Sequence, residues 1–205
     1  GAMSISWSEA TVQNNTISSI TGDGIDVSSS NPVNLSYNTL TNIAESAILY
    51  GSDTDVLRNE ITTSCTTGAT TCAAIRNASW ISGVVTSTIS ENSIKDVGTW
   101  VGADGNAGIF SDWVSGLYIY KNGVQNAQYA VRMIDTSNSS IAENILLSSR
   151  VNTLSLIQNN TWATANNSFT GNTFIQRAPD YPYIEMRDEV PGNWIVSGFS
   201  TFDAN

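Results

Sequence analysis

Hydrophobic residues recur along this chain at two places that keep step with each other. The triplet Asn-x-aliphatic or aromatic appears as Asn15-Thr-Ile17, Asn38-Thr-Leu40, Asn59-Glu-Ile61, Asn92-Ser-Ile94, Asn122-Gly-Val124, Asn144-Ile-Leu146 and Asn172-Thr-Phe174, at intervals of 23, 21, 33, 30, 22 and 28 residues. A small residue followed by an aliphatic travels in phase with it: Gly24-Ile25, Ala47-Ile48, Ala74-Ile75, Gly108-Ile109 and Ala130-Val131, with looser members at Thr153-Leu154 and Tyr183-Ile184. Two markers in phase through seven units define a repeat, and a period of about 22 with short β-branched alternations excludes the helical repeats of 33 residues and more. The fuller leucine consensus of leucine-rich repeats is missing.

The elements this pattern predicts are two or three short strands per repeat. Alternation sends Ile25 and Val27 inward and Asp26 to water, and in "GLYIYKN" it sends Leu117 and Ile119 inward and Tyr118 and Tyr120 out. Stacked repeats would lie about 4.8 Å apart, so each aliphatic column fills a continuous interior. Asn at one corner can bond neighbouring backbone, tolerate left-handed dihedrals and bond the next Asn up the column. The two long units hold Cys65–Cys72 ("CTTGATTC") and residues 99–107 ("TWVGADGNA"), both read as loop insertions.

These columns resemble the right-handed parallel β-helix, pectin-lyase-like superfamily, over residues 12 to about 176. The resemblance implies an all-β solenoid of about seven coils with two loop insertions and a C-terminal cap. Residues 1–3 ("GAM") read as a tag remnant, 4–177 as the β-helix and 178–205 as a capping segment of the same domain, with three of the four prolines. No cap helix is evident over the first coil, so the C-terminal part of a longer solenoid, or an atypical short one, is expected.

Composition narrows the chemistry. Ser and Thr number 50 and Asn 22, only 13% of residues are charged, and the net charge is −10 with eight basic residues. Nucleic acid is therefore not an expected partner, because phosphate binding needs clustered Lys and Arg. The absence of His removes imidazole-based triads and His-ligated zinc. No window reaches the roughly 20 apolar residues of a membrane helix, so membrane insertion is not expected. Cys65 and Cys72 could be bonded across a short reversing loop, which suits an extracellular or cell-surface setting. Six N-x-S/T sequons match chance at this composition and decide nothing.

Outward columns locate candidate chemistry. The position after the second-marker aliphatic reads Asp26, Leu49, Arg76, Phe110, Arg132, Ser155, Glu185. Arg76, Phe110 and Arg132 would stack as a cation–π sandwich, offering a platform for an acidic sugar or simply separating two like charges. Asp112, Trp113, Tyr118 and Tyr120 lie nearby, with Trp100 and Asp104 from the insertion, and aromatic rings pack well on sugar C–H faces. An interface with another copy or a neighbouring domain is the other use of such a surface.

The sequence requires no cofactor. Calcium would suit Asp23, Asp26, Glu45, Asp53 and Asp55, yet "SDTDV" and "GDGIDV" match no twelve-residue calcium loop. Carboxylate pairs Asp104/Asp112 or Asp112/Asp135 could serve a glycosidase, and Lys95, Lys121 or Arg132 a lyase. The Asn-Thr-Asp, Asp-Asp and Gly-His-Gly signatures of pectin hydrolases are missing, Ser52-Asp53-Thr54-Asp55 being the nearest approach, so catalytic residues stay unassigned. The leading expectation is a secreted or surface module that binds a polysaccharide along its side. A lyase or hydrolase, including a phage-type depolymerase, and a structural spacer or adhesin stalk remain the alternatives.

Overall fold

The structure is a computed structural model that describes all residues except 30, 52, 68–71, 79–83, 99–105, 149–150, 160–163, 165, 177–183, 189–200 and 204–205. Among the described residues there is no helix. Every regular element is a short strand, and each strand pairs in parallel with those one coil before and after it. The chain thus winds as a right-handed parallel β-helix of about seven coils with three sheets.

Sheet 1 stacks Met3–Ile5, Ile25–Val27, Ile48–Tyr50, Ala73–Ala78, Ala107–Asp112, Tyr129–Ile134, Leu154–Gln158 and Ile184–Asp188. Sheet 2 stacks Ala10–Gln13, Val33–Ser36, Thr54–Leu57, Val84–Ser90, Ser115–Tyr120, Ser140–Ala142, Ser168–Thr170 and Thr201–Asp203. Sheet 3 holds Thr16–Ile20, Thr39–Ile43, Glu60–Ser64, Ser93–Val97, Gly123–Ala127, Ile145–Ser148 and Thr173–Gln176. The segment from 178 onward thus adds a strand to two of the sheets.

Both sequence markers are interior columns in register. The second marker runs Ile25–Ile48–Ile75–Ile109–Val131–Leu154–Ile184 up sheet 1, with Met3 in the same column below Ile25. The first runs Ile17–Leu40–Ile61–Ile94–Val124–Leu146–Phe174 up sheet 3. Sheet 2 adds Val12–Leu35–Val56–Ile89–Ile119–Ile141–Phe169. Together they make one continuous core along the solenoid.

The small residue of the second marker has a steric reason. A Cβ on Gly24 would meet the Ala47 carbonyl oxygen at 2.5 Å and Leu40 at 2.9 Å, and one on Gly108 would meet Val124 at 2.3 Å. The chain there turns from sheet 3 into sheet 1 against the sheet 3 column, and a larger side chain would collide with it.

Asn15, Asn38, Asn59, Asn92, Asn122, Asn144 and Asn172 form a ladder at the corner between sheets 2 and 3. In six successive steps each Nδ2 donates to the Oδ1 of the next Asn at 2.9–3.1 Å. The same Oδ1 accepts the lower Asn's backbone N–H at 2.8–3.1 Å. From Asn38 upward, each Nδ2 also bonds a sheet 2 carbonyl of the coil below, at 2.7–3.0 Å.

The left-handed dihedral falls elsewhere than the sequence suggests. It is taken by the residue before each ladder Asn: Asn14, Tyr37, Arg58, Glu91, Lys121 and Glu143 at φ 54–58°, then Gly171 at 61°. The ladder Asn must aim its amide inward, so its predecessor makes the turn and points its own side chain to solvent. Five of those predecessors lack the local bonding that eases this conformation for Asn, at about 1 kcal/mol each or more.

Cys65 and Cys72 are joined in a disulfide with Cα atoms 5.7 Å apart, in the connection from sheet 3 to sheet 1. Such a bond forms and persists in an oxidising compartment.

Replacing Asn92 by Ala would strip the buried Asn59 N–H of its partner and remove the amide bond to the Val56 C=O. The expected cost is about 3 kcal/mol or more in urea unfolding, larger than that of Asn15→Ala at the half-exposed end of the ladder.

Candidate functional site

The outer face of sheet 1 carries the expected ladder. Asp26, Leu49, Arg76, Phe110, Arg132, Ser155 and Glu185 are register partners in that order. The Arg76 and Arg132 guanidiniums lie 5.7 and 5.9 Å from the Phe110 ring centre, and Arg132 lies 5.1 Å from that of Tyr129. The sandwich is real, but it is not an open platform: Phe110 is 5% and Arg132 4% exposed, and only Arg76 is half-buried. Phe110 belongs to a small apolar cluster outside the sheet with Ala73, Ala107 and Tyr129, flanked by Ile134 and Val151. That cluster keeps the two guanidinium charges apart and covered.

Asp112 shares this face, one coil above Ala78 and one below Ile134. Burial pushes its carboxyl above the ordinary carboxylate value and the charge of Asp135 adds to the rise, while Arg76 and Arg132 oppose it. Asp135 is itself buried, and its Oδ1 accepts the Asn159 backbone N–H at 2.8 Å. Asp112 and Asp135 are thus neighbours, as the sequence allowed. Trp100 and Asp104 lie outside the described residues.

The aromatic residues divide between surfaces. Trp113 occupies the corner after sheet 1 with φ 59° and is exposed. Tyr118 and Tyr120 project from the outer face of sheet 2, with ring centres 5.4 Å apart and planes at 18°. Tyr118 is exposed and Tyr120 half-buried, whereas Leu117 and Ile119 between and beside them are interior. The seven sequence candidates therefore form a covered ladder on sheet 1 and an open tyrosine pair on sheet 2, with Trp113 at the corner from which the chain enters sheet 2.

The tyrosine pair joins a surface strip that the sequence reading missed. The left-handed corner column carries Tyr37, Arg58, Glu91, Lys121 and Glu143 on successive coils. Arg58 Nε bonds Glu91 at 2.8 Å and its guanidinium also bonds the Tyr37 hydroxyl; Lys121 Nζ lies 3.5 Å from Glu143 and 4.7 Å from the Tyr120 ring centre. The Tyr120 hydroxyl donates to Glu143 at 3.3 Å. Bonding to Tyr120, then the Glu143 carboxylate, holds the Lys121 ammonium above its ordinary value. The readable signal was the residue before each ladder Asn, whose charge alternates from Arg58 to Glu143.

The remaining candidates do not converge. Lys95 is exposed on sheet 3, Lys121 lies on the corner strip and Arg132 is buried on sheet 1. Asp23 is close to Glu45 and Asp26, with burial first and then Glu45 raising its carboxyl, while its Oδ1 accepts the Ser46 N–H at 3.0 Å. Asp55 lies apart, on sheet 2, accepting the Thr88 N–H at 3.2 Å. Among the described residues no three His, Cys, Asp or Glu side chains gather as a metal cage.

Fold and surface together define a solenoid whose inside is hydrocarbon and amide and whose outside offers ordered columns. Comparison with known family models, curated proteins and solved structures returned no match.

The Asp112 environment makes a signed pH prediction. A carboxyl whose folded value is raised favours folding while protonated, and that contribution is lost as pH rises through the folded value. Asp112→Asn should melt higher than the parent at neutral pH. The gap should narrow on acidification and close below the ordinary value of 3.8, read by calorimetry across the pH range.

Proposed function

We propose that this protein is an extracellular or cell-surface β-helix module that binds polysaccharide along its side. The observation that carries the reading is the near-parallel Tyr118–Tyr120 pair on the outer face of sheet 2, with Tyr118 exposed and Tyr120 half-buried. Two rings presented on the outer face of a rigid sheet suit the C–H faces of sugars, and their hydroxyls stay within reach of sugar hydroxyls and water. Trp113 adds an exposed ring at the adjoining corner, and Lys121 and Glu143 border the pair with polar partners. The disulfide fits the extracellular placement. Membership of the pectin-lyase-like superfamily belongs to the same proposal and rests on the coil pattern.

Arg76, Phe110 and Arg132 serve this reading mainly as a covered brace beneath the surface. A second reading, a polysaccharide-cleaving enzyme, draws on Asp112, whose carboxyl is raised by burial and by the neighbouring Asp135.

Incubating the protein with neutral and acidic polysaccharides, with and without calcium, separates the two. Retention with unchanged chain length supports the binding module, and shortened chains support the enzyme. The Tyr118→Ala/Tyr120→Ala double variant should lose polysaccharide retention with little change in melting temperature. Phe110→Ala should instead cost about 3 kcal/mol of stability, because it empties a buried site. Full retention by the tyrosine variant would reject this face.

A further inference from the structure

A shallow, open cleft of about 350 Å³ lies on the outer face of sheet 2 in the first three coils. Glu9, Thr11, Asn34 and Asp55 supply its polar groups and Pro32 part of its apolar wall. Thr11, Asn34 and Asp55 are register partners, Thr88 bonds Asp55 from the next coil, and Thr88 is the partner of Tyr118. Cleft and Tyr118 therefore share one column of one sheet. Asp55 and Tyr118 are two coils apart, about 10 Å at the usual strand spacing. Because the rise of one coil is close to the length of one sugar unit in an extended chain, a polysaccharide laid along the solenoid axis can meet both places.

Resting on the polysaccharide-binding reading above, we propose that this cleft is a second subsite of the same surface and that it selects neutral, hydroxyl-rich sugar units over uronates. Among its described lining residues are two carboxylates and no basic side chain. Carboxylates accept hydrogen bonds from sugar hydroxyls, while the Thr11 hydroxyl and Asn34 amide can both donate and accept. A uronate carboxylate would meet like charge at Glu9 and Asp55 with no cation to offset it. The arginines that suggested an acidic ligand belong to sheet 1, where Arg132 is buried and Arg76 half-buried.

The test is affinity electrophoresis of the folded protein in gels containing an unsubstituted galactomannan or polygalacturonate, with melting temperatures recorded for every variant. The parent should be retarded by galactomannan and not by polygalacturonate. Asn34→Ala should weaken the galactomannan interaction roughly fivefold. Glu9→Lys, at an exposed position, should allow retardation by polygalacturonate. Tyr118→Ala/Tyr120→Ala reports on the surface as a whole. If that variant loses retardation while Asn34→Ala and Glu9→Lys behave as the parent, the cleft is no subsite and the binding reading stands. Equal or stronger retardation of the parent by polygalacturonate overturns the selectivity. No retardation by either polymer, or none altered by the tyrosine variant, overturns subsite and surface together.

Discussion

The carboxamide of each ladder Asn is the constraint on which the rest of this solenoid depends. At the corner between sheets 2 and 3 the backbone turns sharply and is buried, so its N–H and C=O groups need partners there. One side chain supplies them across three consecutive coils. For Asn92, Oδ1 serves the Asn59 N–H and amide below, while Nδ2 reaches the Val56 carbonyl below and Asn122 above. No coil satisfies its corner alone, which ties the stability of each rung to its neighbours. The same demand explains why Tyr37, Arg58, Glu91, Lys121 and Glu143 accept left-handed dihedrals. Bonds to the ladder offset that local cost.

Parallel stacking in register also shapes the outer surface. Identical positions of successive coils lie about 4.8 Å apart, where two like charges repel by about 1 kcal/mol even at the dielectric of water. A chain built this way favours Ser, Thr and Asn outside, and only 13% of its residues are charged. Where charges do stack, two devices appear. The corner strip alternates sign from Arg58 to Glu143, and sheet 1 inserts Phe110 between Arg76 and Arg132. Both arrangements follow from the fold before any ligand is considered. Tyr120 shares in the corner strip through Lys121 and Glu143, whereas the exposed Tyr118 ring is not needed to fill the interior, which Leu117 and Ile119 already occupy.

A second polar seam runs inside the corner between sheets 1 and 2. The Thr54 N–H donates to Ser87, that of Leu117 to Ser139 and that of Ser139 to Asn167, at 3.0–3.2 Å. Tyr50 is buried beside this seam, and desolvation pushes its phenol well above the ordinary value. This corner mixes Ser and Asn where the other repeats Asn, so no single residue type marks it in the sequence. A column is readable only when one side chain meets the same demand on every coil.

The sequence by itself determined the coil, its period, the interior columns and the register that sets Arg76 against Phe110 against Arg132. Those features repeat, and repetition makes a weak local signal unmistakable. It also determined that Tyr118 and Tyr120 face outward, since strand alternation is local. Tertiary structure decided which outward residues meet solvent. Phe110 and Tyr118 are both aromatic and both on outer faces, yet Phe110 is covered by Tyr129, Ala73 and Ala107 while Tyr118 is not. It likewise decided that the left-handed residue precedes the ladder Asn, and that Glu9, Asn34 and Asp55 share a cleft. Exposure and concavity arise from side chains on different coils and different sheets, and no period along a single chain encodes the volume they leave between them.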